Sequence, residues 1–283
     1  MKANKDLFNL LYVVFAIYLA VVAGLYFFQH HLIYLPSNLM PSPKEAGVPE
    51  MQELQVRNID EIDLTFWYKP ALHKNPTIIY FHGNGGNLSD RGLKIKPYIH
   101  EGFGVLLIGY RGYGGNLGKP NEKALYSDAR SQLNFLKEQG VYPKDWILYG
   151  ESLGSGVAVN MAFEIAVENQ TKGISTSIGA LILEAPFLSL PIIAQEKYPF
   201  VPARFMVNDS YDSINKINQI KDPIFIAHGY KDRVIPIKHG KLLFEVSNQP
   251  KQAEWIPNAG HNDLYDFGLA NLVIKFIRNN INS

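Results

Sequence analysis

The amino-acid sequence predicts an α/β fold, with a mostly parallel, eight-stranded sheet and helices packed on both of its faces. Over about 200 residues, short apolar runs alternate with longer amphipathic stretches, an order typical of parallel strands joined by helices. The runs at 77–81 and 105–110 are largely apolar throughout, as expected of strands buried on both faces. A chain of 283 residues that is 47% hydrophobic and 19% charged can form one large globular domain of this kind.

The first predicted element is an uncharged apolar run from Leu7 to Phe28, with Asn9 as its one polar residue. About 22 residues in a helix extend roughly 33 Å, enough to cross a hydrocarbon core of about 30 Å. We therefore assign residues 1–29 to an N-terminal transmembrane helix that anchors the chain. A cleaved signal peptide is the alternative, because residues 21–23 resemble a processing site. The apolar run continues past that site and is longer than a usual signal core, which favours the anchor.

Positive charges indicate the orientation of this span. Lys2 and Lys5 precede it, and the next Lys or Arg is Lys44. Because positively charged flanks tend to stay in the cytoplasm, we expect a cytoplasmic N-terminus. The rest of the chain is then expected on the periplasmic or extracytoplasmic side of the membrane.

The globular domain is predicted to span residues 51–283, after a linker at 30–50 that is rich in proline and serine. Two runs of alternating polarity, 53–58 and 62–69, predict a leading antiparallel pair of strands. The segment at about 187–220 carries three prolines among aromatic residues and is interpreted as a cap over the sheet. The remaining strands are expected at 77–81, 105–110, 146–150, 180–185, 223–229 and 252–257, and helices at 121–139, 154–168, 236–247 and 264–280.

A serine between two glycines follows the strand at 146–150. Gly150, Ser152 and Gly154 form the pattern G-x-S-x-G, and the next predicted helix begins at Gly154. Between a strand and a helix this pattern is typical of a nucleophile elbow, in which the serine backbone is strained and the glycines keep strand and helix from colliding. We therefore predict that Ser152 is a catalytic nucleophile.

A base and an acid are expected on the same edge of the sheet, because a serine hydroxyl needs a neighbouring base to take its proton. Asp232 follows the strand at 223–229 and His261 follows the strand at 252–257. Both therefore lie at carboxyl ends of strands, as Ser152 does. We predict a catalytic triad in which His261 acts as base and then as acid, while Asp232 fixes its tautomer and stabilises the imidazolium.

Other acidic and histidine residues suit these roles less well. Asp263 and Asp266 lie on the helix side of the predicted base, and Asp222 precedes its strand, at the opposite end of the sheet. His228 lies inside a strand and is expected to be packed, whereas His239 is expected on a helix surface.

A glycine-rich loop at 80–87 is expected to stabilise the negative charge of the reaction intermediate. In this setting, a backbone N–H group of the loop and that of the residue after the nucleophile form an oxyanion hole, here Asn84 and Leu153. A phosphate-binding loop is the alternative. The segment lacks the Lys-Ser/Thr pair of a P-loop and the G-x-G-x-x-G spacing of a dinucleotide site.

A second loop at a strand end, 109–122, carries Arg111 and Tyr113. Arg111 could bind a substrate anion, but a structural ion pair is the favoured interpretation. Tyr113, together with Phe187 at the start of the cap, is a possible pocket residue.

Composition excludes several classes of function. There is no cysteine, which excludes disulfides, thiolate metal sites and a cysteine nucleophile. With 27 basic and 26 acidic residues, the net charge of +1 gives no reason to expect nucleic acid as a partner. The histidines lack metalloprotease spacing, so neither a metal nor a cofactor is predicted.

Seven segments resemble, in order and spacing, the membrane-anchored serine hydrolases of the α/β-hydrolase-domain group, which includes the bud-emergence-type hydrolases and protein depalmitoylases. They are "FHGNGGN", "GYRGYGGNLGKP", "GESLGSGVA", "EAPFLSL", "YPFVPARFMVNDSYDSINKI", "HGYKDRVIP" and "AGHNDL". The resemblance implies an α/β-hydrolase fold with a short cap and hydrolysis of carboxylic esters or thioesters without a cofactor. Ser152, Asp232 and His261 match the family's triad positions.

The chain departs from the depalmitoylase branch, which uses an N-terminal cysteine cluster, since it has a hydrophobic span and no cysteine. Depalmitoylation is therefore not carried over, and lipid or small-ester hydrolysis near a membrane is the leading hypothesis. A peptidase or an acyltransferase with the same triad is the alternative, followed by a non-catalytic, membrane-tethered binding protein.

Overall fold

The computed structural model describes residues 2–40, 42–173 and 178–281, and its centre is an eight-stranded sheet in the order β8-β7-β6-β5-β3-β4-β2-β1. Strand β2 is antiparallel to both of its neighbours, and the other pairs are parallel. The strands are β1 (Gln52–Arg57), β2 (Asp63–Lys69), β3 (Thr77–Phe81), β4 (Gly104–Leu107), β5 (Trp146–Glu151), β6 (Ala180–Glu184), β7 (Ile224–Gly229) and β8 (Lys251–Ile256). The predicted sheet and its leading antiparallel pair are confirmed.

Helices cover both faces of the sheet. Alternate residues of one strand point to opposite faces, so Ile79 of β3 packs in one apolar core and Ile78 in the other. Helices α3, α4 and α6 contribute to the first core, and α2 and α7 to the second. The helices are α1 (Lys2–Ile33), α2 (Gly92–His100), α3 (Glu122–Glu138), α4 (Leu153–Thr171), α5 (Leu190–Lys197), α6 (Lys238–Val246) and α7 (Leu269–Asn280).

Two predicted boundaries are wrong. The strand expected at 105–110 ends at Leu107, where the chain enters the loop that carries Arg111. The helix expected at 264–280 is divided by Gly268, whose φ of 83° is left-handed and interrupts a right-handed helix. A short 3-10 turn, Leu264–Phe267, precedes this glycine, and α7 begins after it.

The N-terminal helix α1 projects from the domain. Its residues Asn4–Ile33 are long and apolar enough to cross a membrane, criteria that a signal sequence also meets. Residues 4–21 are exposed, and side chains begin to pack against the domain only from Val22 onwards. The helix therefore has a free part and a part that belongs to the folded domain.

Polar contacts hold the end of α1 to the domain. The Gln29 side chain donates to the Met206 carbonyl at 3.2 Å and accepts from the Asn208 backbone N–H at 2.9 Å. The hydroxyl of Tyr34, just after the helix, donates to the Asp209 carboxylate at 2.7 Å. Met206, Asn208 and Asp209 all lie in the predicted cap segment, so helix and cap are joined.

Part of the segment at 30–50, which was expected to be a linker, packs against the domain. Leu35–Pro36 pairs in parallel with Gly85–Gly86, and the side chains of Tyr34 and Val48 are buried. This proline-rich stretch contains apolar side chains, and these become buried against the domain. Pro41 of the predicted linker lies outside the described residues.

The cap forms over the carboxyl ends of the strands. It contains helix α5 and a 3-10 turn at Ala203–Phe205, and returns to the sheet through a second turn at Ile217–Gln219. Phe200 and Phe205 are 60% and 88% exposed on its outer surface.

A buried ionic network lies at the carboxyl ends of β5 and β6. Glu151 binds Arg91 at 3.1 Å and Lys94 at 3.0 Å, and Lys94 also binds Glu184 at 2.9 Å. Burial alone would raise the pKa of Glu151, but Arg91 and Lys94 outweigh it and lower the pKa to about 2. Burial raises the pKa of Glu184, and Lys94 offsets this only in part. The network fixes the last residue of β5, which directly precedes Ser152.

Replacing Tyr34 with Phe should loosen the junction between α1 and the cap. The Asp209 carboxylate loses a hydrogen-bond donor, so the free energy of unfolding should fall by about 1.5–3 kcal/mol. Urea denaturation in detergent measures the change. Tyr142→Phe, at an exposed position, serves as the control. Equal stability of Tyr34→Phe and the wild type would show that this contact contributes nothing.

Glu151→Gln should change the response to acid. The carboxyl pKa is lower in the folded protein than in the unfolded chain, so its ionised form stabilises the fold above about pH 4.5. That stabilisation is lost as the pH falls towards about 2. We expect the wild type to lose stability more steeply over this range than Glu151→Gln. The variant should also be less stable at pH 7, by about 3 kcal/mol, because Arg91 and Lys94 lose a charged partner.

Denaturation midpoints at several pH values between about 2 and 7 test this expectation. The control is Glu138→Gln, at an exposed position of α3. Parallel pH profiles for the wild type and Glu151→Gln would contradict the role assigned to the network.

Candidate functional site

Ser152 lies on a strained turn between β5 and α4. Its φ of 50° and ψ of −116° place a non-glycine residue in a conformation that costs about 1–3 kcal/mol. The turn is held by a hydrogen bond from the Ser152 N–H to the Glu184 carbonyl at 2.9 Å. Helix α4 packs so closely on the sheet that a Cβ at Gly154 would collide with the Phe81 carbonyl of β3, and one at Gly150 of β5 with the Ser155 backbone of α4. The glycines of the motif are therefore required by packing.

The structure brings the three predicted triad residues together. His261 Nε2 lies 2.9 Å from Ser152 Oγ, and His261 Nδ1 lies 2.7 Å from Asp232 Oδ2. Ser152 follows β5, Asp232 follows β7 and His261 follows β8, so the carboxyl ends of three strands in one sheet supply the three groups. With Nδ1–H donating to the carboxylate, Nε2 is free to accept the serine proton.

Asp232 is stabilised as an anion. Burial alone would raise its pKa, but hydrogen bonds from His228 and His261 and from the Ile235 backbone N–H hold the pKa well below the ordinary value for aspartate. The second histidine, His228, is buried, with Nε2 3.2 Å from Asp232 Oδ2 and 2.8 Å from the Ile235 carbonyl. Its packed position was predicted, but its contact with Asp232 was missed, although the spacing of four residues across a tight turn could have suggested it.

The other candidate acids and histidines lie elsewhere. Asp263 accepts a hydrogen bond from the Gly260 backbone N–H at 2.6 Å, and Asp222 accepts one from the Ile178 backbone N–H at 3.3 Å. The expectation that His239 lies on a helix surface is wrong. It is buried beneath the start of the cap and contacts Glu196 at 3.1 Å, because the cap covers this face of α6.

Asn84 and Leu153 line the same cavity as Ser152. The Asn84 carbonyl accepts hydrogen bonds from the Leu35 backbone N–H at 2.9 Å and from the Tyr113 hydroxyl at 2.8 Å. The Asn84 side chain donates to the Ile33 carbonyl at 3.0 Å. The glycine-rich loop is therefore fixed from two sides, by Tyr113 and by the segment that follows α1.

The cavity beside Ser152 has a volume of about 220 Å³ and a mostly apolar lining. Phe187 is part of this lining, as expected for a pocket residue. Tyr113 is not among the described lining residues, because it is buried behind the glycine-rich loop and supports Asn84 from there. The cap contributes Leu190, Ile193, Ala194, Lys197, Tyr198 and Val207.

Arg111 has a structural role, as favoured from the sequence. Its guanidinium contacts Asp128 at 2.6 Å and Asp60 at 2.7 Å, away from the cavity. Within residues 2–40, 42–173 and 178–281, no three His, Asp or Glu side chains are grouped as metal ligands would be.

No family model matches the chain, but curated proteins of similar sequence do. The chain is 34% identical to the uncharacterized protein Rv2307c of Mycobacterium tuberculosis, over 88% of each protein. It is 31% identical to Protein bem46 of Schizosaccharomyces pombe, over 88% of this chain and 85% of bem46.

Solved structures share the fold. The Pyrococcus furiosus esterase Pf2001 matches with a TM-score of 0.67 at 20% identity, covering 88% of this chain and all of that protein. An alpha-beta hydrolase from Vibrio vulnificus matches with a TM-score of 0.67 at 22% identity, covering 81% of each chain. With its predicted sheet confirmed and its curated relatives matched over most of their length, the chain belongs to the α/β-hydrolase family that includes bem46.

Proposed function

We propose that the protein is a serine hydrolase that cleaves carboxylic ester or thioester bonds of acyl substrates near a membrane. The observation that carries this proposal is the continuous hydrogen-bonded chain from Asp232 through His261 to Ser152, at the edge of an apolar cavity. Esterases are among the solved proteins that share the fold, which supports the same class of reaction.

In the first half of the proposed reaction, Ser152 Oγ attacks the carbonyl carbon of the acyl group while its proton moves to His261 Nε2. The resulting tetrahedral intermediate collapses by breaking the bond from carbon to the ester oxygen or thioester sulfur. The imidazolium gives its proton to that leaving group, and an acyl-Ser152 ester remains. Asp232, held ionised by its hydrogen bonds, stabilises the imidazolium during this step.

In the second half of the reaction, a water molecule is the nucleophile and attacks the acyl-Ser152 ester. His261 removes a proton from the water, the oxygen attacks the acyl carbon, and the bond to Ser152 Oγ breaks as the serine regains its proton from the imidazolium. A carboxylic acid is released and the free enzyme is restored, so no cofactor is required by the balance of the reaction.

The backbone N–H groups of Asn84 and Leu153 are proposed as the oxyanion hole. Both residues line the cavity beside Ser152, one in the glycine-rich loop and one at the start of α4, where the helix dipole favours negative charge. A donor of this kind is typically worth about 10²- to 10³-fold in rate. The contacts from Tyr113 and Leu35 to the Asn84 carbonyl would keep this loop in place during the reaction.

The apolar lining supports an acyl group as the part of the substrate that enters the cavity. Helix α1 is proposed to anchor the protein in a membrane, with the N-terminus in the cytoplasm and the hydrolase domain on the opposite side. The aromatic residues exposed on the cap, Phe200 and Phe205, support a position of the domain close to the bilayer.

Ser152→Ala should abolish covalent labelling by a fluorophosphonate. In that reaction Ser152 Oγ bonds to phosphorus, fluoride leaves, and the serine proton passes to His261. The matched control is Ser155→Ala, which removes a buried hydroxyl one helical turn away. In-gel fluorescence of full-length protein in detergent is the measurement. Labelling of Ser152→Ala at the wild-type rate would exclude Ser152 as the nucleophile.

Asp232→Asn should lower kcat for a short-chain ester by about 10⁴-fold, because the imidazole loses the partner that fixes its tautomer. Asp263→Asn tests the competing assignment of the acid and should have a much smaller effect, since Asp263 contacts the Gly260 backbone. Steady-state hydrolysis of p-nitrophenyl butyrate measures both variants. A larger loss for Asp263→Asn would transfer the role to that residue.

A further inference from the structure

A second apolar space lies next to the cavity beside Ser152, between α1 and the cap. This second space has a volume of about 70 Å³. Its lining and that of the Ser152 cavity share two residues of α1, Leu32 and Ile33, and three of the cap, Ala194, Tyr198 and Val207. The two adjacent spaces are together called the groove, with its inner part at Ser152 and its outer part at Leu25.

Helix α1 forms one side of this groove along two turns. Leu32 lies at the inner part, near Ser152, and Leu25 lines only the outer part. Seven residues of helix separate them, a distance of about 10 Å along the axis. Because Leu25 lies within the apolar run from Leu7 to Phe28, the groove extends towards the membrane-spanning part of the helix.

The one polar side chain of α1 in the outer groove has its hydrogen-bonding groups occupied. Gln29 donates to the Tyr26 and Met206 carbonyls and accepts from the Asn208 backbone N–H. It leaves little polar surface that an aliphatic chain would have to desolvate. The same bonds hold the cap against the helix, so the two walls of the groove have a fixed separation.

Exposed aromatic side chains neighbour two residues of the outer groove, Gln29 and Met206, in the sequence. Phe27 and Phe28 on α1 are 75% and 63% exposed, next to Gln29. Phe205 on the cap directly precedes Met206, which Gln29 binds. Aromatic residues favour the boundary between headgroups and hydrocarbon.

We propose that α1 is a wall of the acyl-chain site as well as an anchor, and that the long acyl chain of a bilayer lipid ester or thioester reaches Ser152 through this groove. The proposal rests on the proposed serine hydrolase function and adds its substrate class and route of entry. An acyl chain that follows this route moves from hydrocarbon to an apolar wall without crossing water. Its carbonyl arrives between Ser152 and Asn84, whose side chain is bonded to the Ile33 carbonyl of the same helix.

The first test compares chain lengths in full-length protein reconstituted in phosphatidylcholine nanodiscs. Ala194→Trp places a bulky side chain where the two parts of the groove meet, and Leu25→Trp does so at the outer end. Each methylene buried in an apolar site is worth about a fourfold change, so exclusion of three methylenes should lower kcat/KM for p-nitrophenyl palmitate by about 60-fold. In Leu25→Trp, whose position lies outside the lining of the Ser152 cavity, the butyrate ester should change less than threefold and fluorophosphonate labelling of Ser152 should persist.

The control variant is Leu242→Trp, at an exposed position of α6 away from the groove. It should leave both esters unaffected. Unchanged palmitate hydrolysis in Ala194→Trp and Leu25→Trp would overturn the proposal. Equal losses for palmitate and butyrate in Leu25→Trp would also overturn it, because they indicate general damage to the site.

A second test does not depend on hydrolysis. Ser152→Ala protein is reconstituted with phosphatidylcholine that carries a photoreactive diazirine near the end of a palmitoyl chain, and the cross-linked peptides are identified by mass spectrometry. Cross-links to α5, lost in Ser152→Ala combined with Leu25→Trp, are the expected result. Cross-links confined to residues 4–21 of α1 would overturn the proposed acyl-chain route, even if the protein is an esterase. Cross-links to groove residues in a protein that shows no Ser152-dependent hydrolysis would refute only the proposed function.

Discussion

The strained turn at Ser152 is the constraint on which the rest of the site depends. A positive φ at a serine persists only where the surrounding structure holds it, and here the support comes from several directions. Gly150 allows β5 to approach α4, and Gly154 allows α4 to approach the end of β3. The Glu184 carbonyl binds the Ser152 N–H, and Glu151 is fixed by Arg91 and Lys94. The hydroxyl is thereby presented above the sheet, within reach of His261.

The support for the turn also links it to the glycine-rich loop. Arg91 binds Glu151 and, through a second nitrogen, donates to the Gly85 carbonyl at 3.0 Å. One buried guanidinium therefore sets the position of the nucleophile relative to the loop that carries Asn84. Arg suits this place because its planar group can bond in several directions at once and stays charged when buried.

The N-terminal segment is part of the same construction. Ile33 accepts a hydrogen bond from Asn84, Leu35–Pro36 pairs with Gly85–Gly86, and Tyr34 binds the cap through Asp209. The end of α1, the glycine-rich loop and the cap therefore form one packed unit around the cavity. A change in how α1 sits would be transmitted directly to the loop and the cap, which makes the helix more than a tether for a separate domain.

The sequence by itself determined the parallel sheet, most strand positions, the turn at Ser152 and the order of Ser152, Asp232 and His261. These features depend on local apolar patterns and on glycines at fixed spacing, which a chain displays without reference to its fold. Only the tertiary structure decided that Tyr113 supports Asn84 from behind, that His239 is buried under the cap, and that His228 contacts Asp232. It also decided that residues 34–36 join the domain and that α1 lines the cavity, because such contacts depend on which distant surfaces meet.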